Sequence, residues 1–228
     1  MRLIGFLYLL VILFAGSSQG YVRGSLVIYG DGEATAFNIA ENMGLFRWGL
    51  VLDLTAFILD ALISVLLYQL FRPVDKSLAM VSSALRLIAH PAIGSLNLLN
   101  HYLAGEVLGG SDYLSVFDPI QLEAFSMLFM EAHRYGYLIA GGFFGIHCLL
   151  LGILIYRSAF MPKWLGLLLI GSAAGYVVET FVNFGIPGYE GYTALIVGVS
   201  AALGEISLTL FLIYKGFLIS HTPQILTK

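Results

Sequence analysis

The sequence predicts an all-helical, polytopic membrane bundle of about six transmembrane helices. Three observations carry this. Hydrophobic residues make up 59% of the chain and the mean hydropathy is +0.89. Charged residues make up 11%, less than half of the roughly 25% usual in a soluble domain. The apolar residues also fall in long continuous runs. A backbone in hydrocarbon must satisfy its own hydrogen bonds, and runs without alternation exclude a barrel, so each run is a helix. At about 20 residues per span, six spans with short cytoplasmic loops and two longer external connections fill the 228 residues as a single transmembrane domain.

The expected spans are 3–28, 45–71, 78–103, 135–156, 164–184 and 192–214. The first begins Met1-Arg2 and meets Gly16-Ser17-Ser18-Gln19-Gly20 after about 13 apolar residues. It therefore reads either as a retained helix or as a cleaved signal peptide. Between the first two spans, Asp31-Gly32-Glu33 opens a short helix with Asp31 as its N-cap. Asp118-Pro119-Ile120-Gln121 is another helix start, with Asp118 capping and Gln121 three positions on. A helix from Pro119 to the end of the fourth span would be about 57 Å long. Its first half is expected to lie on the outer surface, or to break near Tyr135-Gly136.

Basic residues orient the bundle. Arg2, Arg72, Lys76, Arg157, Lys163, Lys215 and Lys228 fall on one side, and Arg23, Arg47 and Arg134 on the other. Seven against three puts both termini in the cytoplasm. The outer connections are acidic, a pattern expected wherever external loops lack Lys and Arg. A net charge of -3 with 11 basic residues gives no nucleic-acid footprint. A lone Cys148 excludes an internal disulfide and a cysteine-based metal site. Phosphate-loop, dinucleotide and hydrolase motifs are absent, and no cofactor is expected.

The informative residues are the ones that cost most to insert. Asp53, Asp60, Arg86, His90, His147, Glu179 and Glu205 all fall inside expected spans. A charge at the bilayer centre costs roughly 2.5–3.5 kcal/mol even on lenient scales. These side chains should therefore face one another or a wet cavity. Asp60, Arg86, His147 and Glu205 lie ten to twelve residues from a flanking cytoplasmic basic residue, about 15–18 Å deep. Helices two, three, four and six would then converge on a mid-membrane cluster. Asp53 and Asp60 are seven apart on one stripe, and Arg86, His90, Asn97 and His101 form another. The short turn at 72–76 packs these helices antiparallel. An Asp60–Arg86 ion pair is the sharpest expectation, with Asp53 level with His90 to Asn97. Pro91 frees the carbonyl of Leu87 and kinks the third span.

Glycines mark close helix approach. Gly141 and Gly145 form one small-xxx-small pair, Gly171 and Gly175 another, and Gly198 with Ala202 a third.

Three function classes fit. The cluster can serve small-solute or proton-coupled transport or ligand binding, in which case so few spans favour a homo-oligomer. It can serve an intramembrane metal-dependent hydrolase, with His90, His147 and Glu205 as weak ligand candidates and no His-x-x-x-His pair to support them. Or it only ties helices together in a non-enzymatic accessory protein. The first is preferred, with the lipid bilayer as partner and substrate unknown.

Several stretches carry a resemblance. They are Tyr21-Val22-Arg23 with Gly30-Asp31, Leu70-Phe71-Arg72-Pro73-Val74, Leu85-Arg86-Leu87-Ile88, Phe143-Phe144-Gly145-Ile146-His147, Pro162-Lys163-Trp164-Leu165-Gly166 and Gly204-Glu205. Together they resemble domain-of-unknown-function family 4386. The resemblance implies a membrane protein of six to seven helices in the bacterial inner membrane, supports keeping the first segment as a helix, and implies no activity. Its motifs include Arg86, His147 and Glu205.

Overall fold

The computed structural model describes residues 1–221; Lys228, counted above among the cytoplasmic charges, lies outside them. Among these residues the regular structure is helical. Six helices are long and apolar enough to cross a membrane: α1 (Arg2–Leu26), α3 (Met43–Phe71), α4 (Lys76–Glu106), α5 (Pro119–Arg157), α6 (Lys163–Gly185) and α7 (Glu190–Leu218). The short helix α2 (Gly32–Glu41) lies between the first two. The protein is a multi-pass membrane protein.

Local chemistry sets the helix starts. The Asp31 carboxylate accepts from the Ala34 amide at 2.9 Å and begins α2. Asp118 and Gln121 form a reciprocal box at the start of α5: the Gln121 amide donates to Asp118 Oδ1 at 2.9 Å, and the Asp118 amide to Gln121 Oε1 at 3.1 Å. Asp75 starts α4 by accepting from the Leu78 amide at 3.0 Å.

On α3, Asp53, Ala56, Asp60, Ile63, Ser64 and Leu67 are buried. Leu54, Ile58, Leu62 and Val65 are exposed at the opposite stripe. An apolar exposed face behind a polar buried one reverses the soluble pattern and suits lipid contact.

The helix from Pro119 runs unbroken for 39 residues through Tyr135-Gly136, so of the two alternatives the break near Tyr135-Gly136 is absent. Gly136 is there for packing. A Cβ at this position would overlap the Asn97 side chain, whose Nδ2 donates to the His133 carbonyl at 2.7 Å.

Three helices contain π-helical stretches: Ser17–Arg23 in α1, Ile88–Gly94 in α4 and Ala202–Ile206 in α7. The α4 stretch holds Pro91, which cannot donate to the helix ladder.

The chain divides into two compact units. The first comprises Met1–Leu10, Leu59–Leu87 and Gly141–Lys228, and the second Val11–Ile58 and Ile88–Ala140. In the first unit α5 and α6 approach closely. A Cβ on Gly152 would lie 2.7 Å from the Gly166 carbonyl oxygen, and one on Gly166 would lie 2.9 Å from the Tyr156 nitrogen. Gly145 meets Tyr176 and Val177, and Gly175 meets Ser200 and Val197. Gly171 and Gly198 have open space around them, and Ala202 is exposed. The small-residue contacts of α6 with α7 therefore run through Gly175 and Gly204. Spacing alone does not say which side of a helix faces a neighbour.

Candidate functional site

In the first unit, Arg86 is 1% exposed and every group around it is polarisable or polar. Its Nη2 and Nε donate to Asp60 Oδ1, the Nε bond at 3.0 Å. Its Nη1 donates to the Tyr8 hydroxyl at 2.6 Å and to His147 Nε2 at 3.0 Å. The guanidinium also lies 4.5 Å from the Tyr8 ring centre and 5.1 Å from that of Phe144. The pair expected between α3 and α4 is present. Two serines one turn away lock its register: the Ser64 hydroxyl donates to the Ser83 carbonyl and the Ser83 hydroxyl to the Ser64 carbonyl, both at 2.7 Å.

The guanidinium fixes the state of His147. Arginine only donates, so Nε2 must accept and carries no hydrogen. The hydrogen then sits on Nδ1 and donates to the Ser82 carbonyl at 2.9 Å, with the Ser82 hydroxyl at 3.0 Å. His147 is a neutral imidazole with both nitrogens engaged, so it is not a ready metal ligand. Among the described residues no group of three or more His, Cys, Asp or Glu is arranged to hold a metal ion.

Glu205 sits within the π-helical stretch of α7 and accepts from the Tyr176 hydroxyl of α6 at 2.7 Å. Tyr176 packs edge-on against Phe144 at 5.2 Å, and Phe144 lies under Arg86. Glu205 thus connects to the arginine through two aromatic rings. Glu179 is half-buried one turn beyond Tyr176 and is not among the groups bonded to Arg86.

Asp53 belongs to a different arrangement, in the second unit. Its partner is Arg23, whose Nη1 donates to Asp53 Oδ2 at 2.5 Å. Arg23 was counted among the outer charges; it is 3% exposed and lies within α1. Its Nε donates to Gln19 Oε1 at 2.8 Å and its Nη1 also to Ser18 Oγ at 2.9 Å. The Ser18 hydroxyl donates to the Gly49 carbonyl at 2.8 Å. The π-helical stretch 17–23 brings Ser18, Gln19 and Arg23 to one side of α1. Asp53 is therefore held by the first span. His90 stacks on Phe57 at 5.8 Å.

The sequence reading missed Tyr8, Ser82, Arg23, Tyr137 and His133 as partners. A tyrosine or serine in an apolar run raises no energetic flag. Arg23 lies near the end of its run, where an arginine is unremarkable. The signal that was available for His133 is its spacing: it lies four residues before Tyr137, one helical turn, inside the long α5 pattern.

Comparison with known proteins adds family membership. The profile described as Domain of unknown function (DUF4386) matches residues 3–216. An uncharacterized protein of Archaeoglobus fulgidus is 33% identical over 160 residues, a match covering 70% of this chain and 78% of that protein. No solved structure matches. With a profile spanning nearly its full length, the chain belongs to domain-of-unknown-function family 4386.

Proposed function

We propose that this protein binds or moves a small polar solute, coupled to protons, and that the Asp60–Arg86–His147 cluster with Glu205 is its working centre. The observation that supports this is the coincidence of polar groups with π-helical stretches. Arg23 and Ser18 lie in the first, His90 in the second and Glu205 in the third. Such stretches cost regular hydrogen bonding and recur at functional sites. Arg86 lies two residues before the second of them. Every side chain bonded to Arg86 can also exchange a proton, which suits a relay.

The orientation belongs to the same proposal: both termini cytoplasmic, in the inner (plasma) membrane, with the lipid bilayer as partner. The outward-facing Gly171 and Gly198 leave room for a second copy of the chain.

The test uses proteoliposomes with an internal pH dye and a panel of small polar solutes. The expected result is solute-dependent proton movement in the wild type that Asp60→Asn and Glu205→Gln abolish while the protein stays folded. A second reading has one specific observation in its favour: Arg86 is fully engaged by Asp60, Tyr8 and His147. The cluster would then only tie α1, α3, α4 and α5 together. An Asp60→Leu/Arg86→Met protein that keeps both its fold and its proton movement would move the cluster to that reading.

A further inference from the structure

The second unit carries an open cavity of about 660 Å³, built from residues that take no part in the Arg86 cluster. Its walls come from α2 and the stretch before it, from the residues just past the end of α4 and from the start of α5. Small-molecule sites run from about 300 to 1,000 Å³. A second open cavity of about 450 Å³ shares Glu33 and Glu123 with the first.

This surface lies beyond the hydrocarbon. The 39 residues of α5 extend about 57 Å. Even tilted by about 40° the helix rises about 44 Å, against about 30 Å of hydrocarbon. Arg157, paired with Asp75 at 3.6 Å, ends that helix at the far side. Pro119, Leu122 and Glu123 line the cavity at its start. Helix α2 is not among the spanning helices. Gly32 seats α2 on α5, where a Cβ would lie 3.6 Å from Met127 Cβ and 3.7 Å from the Glu123 carbonyl oxygen.

Two separate features of the cavity specify an occupant. The first is apolar. Phe37 is 66% exposed on the wall of the larger cavity and Ile120 is 76% exposed on that of the smaller. Leu108 and Leu122 continue the apolar wall. Lipid tails do not cover groups at this height, and an apolar patch rimmed by polar groups in water marks a binding surface. The second feature is charge. Asp31, Glu33 and Glu123 line the larger cavity, and neither cavity is lined by an arginine, lysine or histidine among the described residues. The Glu33 and Glu123 carboxylates have no ion pair or hydrogen bond among these residues. External loops poor in Lys and Arg account for the acids, but not for the apolar wall beside them.

The same geometry narrows the occupant. Asp31 and Asp118 cap the two nearby helix starts, so each start already has its own anion. Among the described residues no three His, Cys, Asp or Glu converge to hold a metal ion. The negative charge is spread along an apolar wall, which suits a cation larger than a metal ion and partly apolar.

We propose that this cavity binds an organic cation, with its ammonium group beside Glu33 and Glu123 and its apolar body against Phe37, Leu108 and Leu122. The site stands whether or not the Arg86 cluster moves a solute, and its test involves no transport.

The experiment is a saturation-transfer NMR titration of the full-length protein in phosphatidylglycerol nanodiscs, with protein-free discs subtracted. The probe is benzyltrimethylammonium. Tetramethylammonium supplies the charge without the ring, and benzyl alcohol the ring without the charge. The expected result is saturable binding of the probe that weakens as salt rises. Benzyl alcohol should bind about fivefold more weakly or worse, and tetramethylammonium about tenfold more weakly or worse. Glu33→Gln/Glu123→Gln should weaken the probe about fivefold, and Phe37→Ala should weaken it too, with unfolding midpoints unchanged. The comparison of the three ligands needs only the wild type, so it decides the matter if a variant fails to fold. Absence of saturable binding overturns the proposal. Equal binding of benzyl alcohol reduces the site to an apolar surface and overturns it. Displacement of the probe by equimolar calcium overturns the organic cation in favour of a metal.

Discussion

Arg86 shows at the residue scale how a membrane interior tolerates a permanent charge. The guanidinium carries five N–H donors, and four of its bonds go to Asp60, Tyr8 and His147. Removing one charge leaves the other buried and alone. Asp60→Asn or Arg86→Met singly should therefore destabilise the protein by about 3–5 kcal/mol, and the double apolar replacement by far less. Reversible unfolding in mixed micelles, run as a double-mutant cycle, measures this; plain additivity of the two single losses removes the pair from the account. Tyr8→Phe keeps the ring over Arg86 and deletes the acceptor for one N–H. Its expected cost is about 1–3 kcal/mol in the same assay, and a neutral result means the ring alone matters. Asp60 and Arg86 were legible in the sequence because a charge deep in a span demands a partner. Tyr8 and Ser82 were not, because their hydroxyls carry no insertion cost large enough to notice.

Helix faces are where pattern and packing part company at the scale of elements. Gly166 and Gly171 look alike in the sequence, five residues apart on one apolar helix. Gly166 packs against the backbone of α5 at Gly152 and Tyr156, whereas Gly171 has nothing within reach. Gly166→Ala should push α5 from α6 and cost about 1–3 kcal/mol. Gly171→Ala should be neutral or stabilise by up to about 1 kcal/mol, since alanine is the better helix former. Unfolding midpoints of the two variants side by side check this, and equal losses would contradict the assigned faces. The π-helical stretches matter for the same reason. Each adds a residue to a turn, and Arg86, Asn97 and His101 are all buried on either side of the stretch Ile88–Gly94. The stretch in α1 brings Ser18, Gln19 and Arg23 to one side, where Arg23 meets Asp53. The caps, by contrast, were legible, because Asp31 and the Asp118–Gln121 box act within one turn.

Orientation is the property of the whole molecule with the sharpest test. On the proposed orientation, with Arg23 buried within α1, Arg47 and Arg134 are the basic residues on the outer side. In a Cys148→Ser background, a membrane-impermeant maleimide should label Ser115→Cys in intact cells and Val74→Cys only after permeabilisation. The opposite pattern inverts the topology. The sequence by itself determined the helix count and the Asp60–Arg86 pair. Each follows from terms that act locally or dominate energetically: hydrocarbon length, backbone satisfaction and the cost of a buried charge. Only the tertiary structure decided which glycines touch a neighbour, that Asp53 answers to Arg23, and that Tyr8 and His147 complete the Arg86 site. Those outcomes depend on helix rotation and on π-helical register shifts. Side-chain packing sets both between segments far apart in the chain, and no local pattern encodes it.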